Sequence, residues 1–173
     1  MRLLPLLLLL SSMLFASIEL PENFQADFEQ KITNNKKRVI KYEGKVLFSD
    51  KKLFKWSYVS PTKKEVCTDG KELLVVDHDL EQVSAYYIAK GLDISKVLKK
   101  AKLHSNNIYV AAYEGKNYTI QLDNIEKLHS IAYYDELDNK VQIRFINMKY
   151  GKGKLSGEKM KCNYPNFYDM IRG

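Results

Sequence analysis

Four groups of residues in this sequence are of types that do chemistry. Asp77-His78-Asp79 sets an imidazole between two carboxylates, the parts of an acid–base or metal site. General acid–base work needs such groups to converge on one reacting atom, and three consecutive residues in a turn cannot all do so. His104 and His129 bring no matching partners. Gly151-Lys152-Gly153-Lys154-Leu155-Ser156-Gly157 looks suited to a phosphate. It lacks the P-loop spacing and lies between strands rather than ahead of a helix, so a turn-rich strand connection is the better reading. No His-Glu-x-x-His, Cys-x-x-Cys or Gly-x-Ser-x-Gly spacing occurs. No catalysis, metal or cofactor is expected.

Cys67 and Cys162 are the fourth group, and what they do depends on the compartment. Met1-Arg2 is a short basic start, Leu3 to Phe15 is an apolar run, and small residues follow near Ala16 and Ser17. That pattern is a secretory signal peptide over residues 1–17, with cleavage near Ala16/Ser17. A membrane anchor is disfavoured, because the run is short of the roughly 20 residues a span needs and Pro5 interrupts it. In an oxidising compartment the two cysteines either form a disulfide, the preferred reading, or stay as two buried thiols. Paired, they would close most of the exported chain into one loop, worth about 4 to 5 kcal/mol on the chain-entropy account.

The chain has 173 residues with 45% hydrophobic content, which excludes a disordered polymer and suits one domain over residues 18–173. Its net charge is +7, or +6 without Arg2. In an exported protein that charge points away from nucleic acid and toward an anionic membrane surface or an acidic protein, or is simply a solvated lysine-rich face. The 12 Tyr and 7 Phe lean toward strands.

The elements that would position these residues follow from periodicity. Phe24, Phe28 and Ile32 recur every fourth residue behind Pro21 and Asn23, which predicts an opening helix. The period then becomes two. Ile40 to Phe48 and Phe54 to Tyr58 alternate as strands, and Asp69-Gly70 marks a hairpin between 65–68 and 72–76. A strand at 82–88 precedes a second helix, with Asp93 as N-cap and an apolar stripe of Ile94, Val97, Leu98 and Ala101. Further strands are expected at 108–113, 116–123, 128–134, 141–148 and 155–163. The expectation is a mainly β (α+β) fold, a large curled antiparallel sheet of about ten strands with two short helices.

The residues also resemble a known family. Phe24-Gln25-Ala26-Asp27-Phe28-Glu29-Gln30 is similar to the Phe-x-Ala-x-Phe-x-Gln opening helix of the periplasmic outer-membrane lipoprotein carriers, the LolA family. Gly44, Leu53-Phe54-Lys55-Trp56, Ser60-Pro61, Thr68-Asp69-Gly70-Lys71 and Leu80-Glu81-Gln82-Val83 follow the family's order and spacing. The resemblance implies an incomplete antiparallel β-barrel of ten to eleven strands whose open mouth is covered by a helical lid. It implies a cofactor-free, monomeric periplasmic chaperone rather than an enzyme. Such a chaperone takes triacylated lipoproteins from an inner-membrane ATP-binding cassette complex toward the outer membrane. Each buried acyl CH₂ is worth about 0.8 kcal/mol, which is why such cargo needs a carrier in water.

On this resemblance Phe54 and Trp56 sit on a cavity-forming strand, with Val46, Phe48 and Tyr58 beside them. Phe24 and Phe28 belong to the first lid helix, and Leu92, Ile94, Val97 and Leu98 to the other lid helices. Better-known members carry Arg-Pro ahead of Leu-Phe-x-Trp, the Arg being associated with latching the lid and passing cargo on. Asp50 and Lys51 stand there instead. Lys51 is the candidate for latch or transfer, but lysine lacks the planar donor fork of arginine, and the outer-membrane acceptor is left open. The alternative function is an exported β-rich module for a glycolipid, a polysaccharide or a protein.

Overall fold

A computed structural model describes residues 18–50, 52–87 and 94–173, with Ile94 and Ser95 as backbone only. The expected signal peptide at 1–17, the latch candidate Lys51, the lid candidate Leu92 and the N-cap Asp93 lie outside the described residues.

The predicted opening helix is a strand. β1 (Asn23–Thr33) alternates buried Phe24, Ala26 and Phe28 with outward Gln25, Asp27 and Glu29. A four-residue interval fits a period of two as well as one of 3.6, so Phe24 and Phe28 fall on one face either way. Hydrogen bonding on both sides decides for the strand: β1 pairs antiparallel with β2 (Val39–Ser49) and with β11 (Lys140–Gly151). Next come β3 (Leu53–Ser60), β4 (Lys64–Thr68), β5 (Glu72–Asp77) and β6 (Gln82–Tyr87). The second half is β7 (Lys102–Ser105), β8 (Ile108–Tyr113), β9 (Lys116–Leu122) and β10 (Leu128–Tyr134), before β11 and finally β12 (Asp169–Arg172).

The twelve strands among the described residues form one sheet in the order β12-β6-β5-β4-β3-β2-β1-β11-β10-β9-β8-β7. It is antiparallel throughout except where β12 pairs parallel with β6. Against the expected ten, β1, β7 and β12 are added and the strand at 155–163 is lost; β7 and β12 are four-residue edge strands whose side chains are all exposed. Without a buried face they leave no alternation to read. The sheet is open, with edges at β12 and β7, and it is curled. Leu73 on β5 and Tyr118 on β9 lie seven strands apart, roughly 34 Å if flat, yet they line one cavity.

The helical lid is absent among the described residues. α1 (Ile94–Lys99) has six residues, and α2 (Gly157–Met160) is a single turn. The stripe that predicts α1 is nonetheless correct in phase, since Val97, Leu98 and Ala101 are buried in the main core. The predicted strand at 155–163 does not form. That stretch, with α2 in it, crosses the outer face of the sheet sideways on its way from β11 to the far edge.

Candidate functional site

The inner face is built from every second residue of neighbouring strands. Phe24 stacks on its partner Phe48, with ring centroids 4.9 Å apart. Phe28 opposes Gly44 and packs edge-on against Trp56 at 4.8 Å and Tyr58 at 5.1 Å. A Cβ at Gly44 would collide with the Ser57 carbonyl oxygen and sit 2.8 Å from the Phe28 ring, so only glycine lets that ring lie flat over the strand. The spacing Gly44…Phe54-x-Trp56 is thereby a packing requirement.

Between the two wings of the curled sheet lies a cavity of about 420 Å³. Phe54, Trp56 and Tyr58 of β3 form one wall, with Val66 of β4 and Leu73 of β5 beside them. Tyr118, Ile131, Tyr133 and Ile143 from β9, β10 and β11 form the opposite wall, and Val97 and Leu98 of α1 close one side. Its volume falls in the range of sites that take small apolar ligands. Two other hollows are present. One of about 480 Å³, also mostly apolar, lies on the outer face under the 157–164 segment, and another of about 530 Å³ is lined by a mixture of polar, charged and apolar groups, among them Glu29, Lys31, Glu43, Arg144 and Ile143.

The expected site residues divide into two sets. Phe54, Trp56, Tyr58, Val97 and Leu98 line the cavity. Val46, Phe48, Phe24 and Phe28 are each 1% exposed and belong to the packed core behind it. The last two stand on β1, not on a lid helix. Ile94 has a helical backbone and nothing more is described of it. Val66, Leu73 and the entire β9–β11 wall were missed. Ile131 and Tyr133 were hard to single out because Ala132 and Tyr134 on the opposite phase are not polar either.

The wall's polar groups are tyrosines. Burial pushes the Tyr58 hydroxyl up to about 12, helped by neighbouring Tyr133 and Tyr42. Burial raises Tyr133 and Tyr118 as well, so all three are neutral donors at ordinary pH.

The outer face is different. Lys55, adjacent to Phe54 in sequence, points the other way and is only 7% exposed. Its Nζ pairs with Glu65 Oε1 at 3.0 Å and donates to the Lys161 carbonyl at 2.7 Å. Cys67 and Cys162 are joined in a disulfide, with Cα atoms 5.7 Å apart. The sulfurs that gather with Glu65 are therefore not thiolates able to hold a metal ion. The Leu155 amide donates to Ser49 Oγ, the Asn163 amide to Glu65 Oε2, and Tyr168 meets His78 Nδ1 at 3.1 Å. Residues 155–168 are thus a strap tied in turn to β2, β3, β4 and the turn after β5.

The remaining candidates serve turns. Asp77 pairs with Lys64 at 3.1 Å and accepts the Asp79 and Leu80 amides. Burial works against its charge, but Lys64 and those amides hold the carboxyl below the usual range. Asp79 accepts the Lys63 amide, so the three side chains turn to three different partners. In the glycine-rich stretch, Asn23 Nδ2 donates to the Lys152 and Gly153 carbonyls, which ties the turn to β1.

The family model described as outer membrane lipoprotein carrier protein LolA matches residues 21–100. An outer-membrane lipoprotein carrier protein of Campylobacter jejuni is 34% identical over 149 residues, covering 86% of each chain. The chain belongs to the LolA family. A carrier of the same description from Helicobacter hepaticus is 30% identical, covering 91% of this chain and 88% of that one. Among solved structures, an uncharacterized conserved protein of Thermus thermophilus shares the fold with a TM-score of 0.58 at 12% identity, covering 89% of this chain and 92% of that one. The LolA family is one of lipoprotein carriers, not of enzymes. The described apolar hollow suits that class, and the correction concerns what covers it.

Proposed function

We propose that this protein carries lipoproteins through the periplasm after losing its 1–17 leader, and that the roughly 420 Å³ cavity holds their acyl chains. The observation that carries this reading is the wall of Phe54, Trp56, Val66, Leu73 and Leu98 facing an open hollow in a chain of this family. Apolar side chains that could pack shut instead leave a space, and an acyl chain in that space removes its methylenes from water at about 0.8 kcal/mol each. Hiding part of the cargo suffices, because a carrier that buried everything would not let go. The β3 residues Phe54, Trp56 and Tyr58 are the lipid-binding wall, while Phe24, Phe28, Val46 and Phe48 set its shape from behind. An inner-membrane ATP-binding cassette complex supplies the cargo and residues 18–173 act as one domain. Lys51 stays the candidate for transfer.

The test is uptake of a fluorescent acyl probe and release of lipoproteins from spheroplasts. The protein should do both, and Phe54→Glu, which sets a charge in the wall, should abolish uptake. Absence of both activities in the folded wild type would falsify the carrier reading.

A further inference from the structure

The cavity is graded from one end to the other along four of its strands, while the β11 wall is apolar from Val141 to Phe145. Inward residues of β3 run Tyr58, Trp56, Phe54; those of β1 run Gln30, Phe28, Ala26. Those of β9 run Lys116, Tyr118, Ile120, and β10 adds Tyr133 ahead of Ile131. Register gives these series a common direction but staggers them: Gln30 stands level with Ile143, Ile131 and Ile120, and Tyr133 and Tyr118 stand level with Val141 one pair further on. The polar members are brought together by the curl of the sheet, since Gln30, Tyr58, Lys116, Tyr118 and Tyr133 line the same cavity. Tyr118 and Tyr133 are in contact there, with ring centroids 5.4 Å apart.

The polar end is also the more open one. Gln30, Tyr58, Lys116, Tyr118 and Tyr133 are half-buried, whereas Phe28, Phe54 and Ile120 are buried. Among the described residues, the hydroxyls of Tyr58, Tyr118 and Tyr133 and the Gln30 amide form no hydrogen bond. Lys116 has one partner, Glu136 at 3.3 Å, itself strongly exposed. Donors beside an apolar hollow and without partners are poised for a ligand that brings acceptors.

We infer that Tyr58, Tyr118, Tyr133, Gln30 and Lys116 form a subsite for the ester carbonyls of an acylated glycerol, which orients the cargo with its head at the open end and its chains toward Phe54. The chemistry matches in kind. Ester groups accept hydrogen bonds and donate none, and this corner supplies phenol, amide and ammonium donors. A fully apolar cavity would bind acyl chains in either direction. A donor-lined end fixes the direction and leaves the protein part of a lipoprotein outside. The inference rests on the acyl-carrier reading and adds polarity to it.

The experiment uses the purified full chain and three fluorescent probes: a diacylglycerol with ester links, its ether-linked analogue without carbonyls, and the hydrocarbon diphenylhexatriene. The wild type should bind the ester about ten- to a hundredfold tighter than the ether, as expected for a few neutral hydrogen bonds. The triple variant Tyr58→Phe/Tyr118→Phe/Tyr133→Phe should lose that preference while keeping the wild-type circular dichroism spectrum. Equal ester and ether affinity in the wild type overturns the subsite, and needs no variant to fold. So does a preference that survives the triple substitution, or a free fatty acid that binds through Lys116 while ester and ether bind alike. Failure of the wild type to bind any probe is a different result and removes the carrier reading itself.

Discussion

Strands β3 and β4 present two faces that do opposite work. On the inner face Phe54, Trp56 and Val66 meet a hollow through dispersion contacts that have no required direction. On the outer face Cys67 holds the strap through a disulfide, and Lys55 and Glu65, paired with each other, each make one hydrogen bond to its backbone. Specific bonds keep the sheet in shape where it must not move, and unspecific contacts leave the other side able to accept and release a ligand. A curled open sheet with a hollow centre has less core than a solid domain, so the strap supplies on the outside part of what the cavity gives up inside.

Loss of the disulfide should have the largest effect. Cys67→Ala/Cys162→Ala frees a loop with a sequence separation of 95, which costs about 4 to 5 kcal/mol on the entropy model. Urea denaturation should show that loss while acyl-probe affinity, measured where the variant is still folded, stays within a factor of two or three. A fall in affinity parallel to stability would mean that the faces are not independent.

Lys55→Met comes next. It leaves Glu65 charged beneath the strap without its partner, at a cost of about 3 kcal/mol. The same denaturation experiment measures it, and proteolysis should become faster within 155–168 and not elsewhere. Uniform sensitisation would argue against a local clasp.

The smallest effect belongs to the inner face and appears only in alkali. Tyr58 is raised from an ordinary value near 10 to about 12 in the folded chain. Its contribution is complete below pH 10 and is lost as pH climbs through 12, because the unfolded hydroxyl ionises first. That amounts to roughly 2 to 3 kcal/mol across the window. Tyr58→Phe should flatten the slope of stability against pH between 10 and 12, and an unchanged slope would show that other groups cause it.

Much of the inner face could be read from the sequence, because alternation alone puts Phe54, Trp56 and Tyr58 together. The opposite wall was less legible. Whether Tyr118 and Tyr133 meet Tyr58 depends on how far the sheet curls, and curl is a sum over many strands that no local pattern contains. The strap was illegible for a related reason. Leu155 to Asn163 reads locally as one more strand in the ladder, but its partners Ser49, Lys55 and Cys67 lie across the sheet.

The sequence by itself determined the strand content, the chemistry of each strand face and membership of a carrier family. Those depend on residue types at short spacing, where sterics and burial act locally. The tertiary structure alone decided that Phe24 and Phe28 lie on a strand, since a four-residue interval satisfies both periods and only β2 and β11 on either side select one. It also decided the pairing of Cys67 with Cys162, the want of a long helix over the cavity among the described residues, and the gathering of the polar groups in that cavity. Each of these is a relation between residues far apart in the chain, fixed by register and curvature.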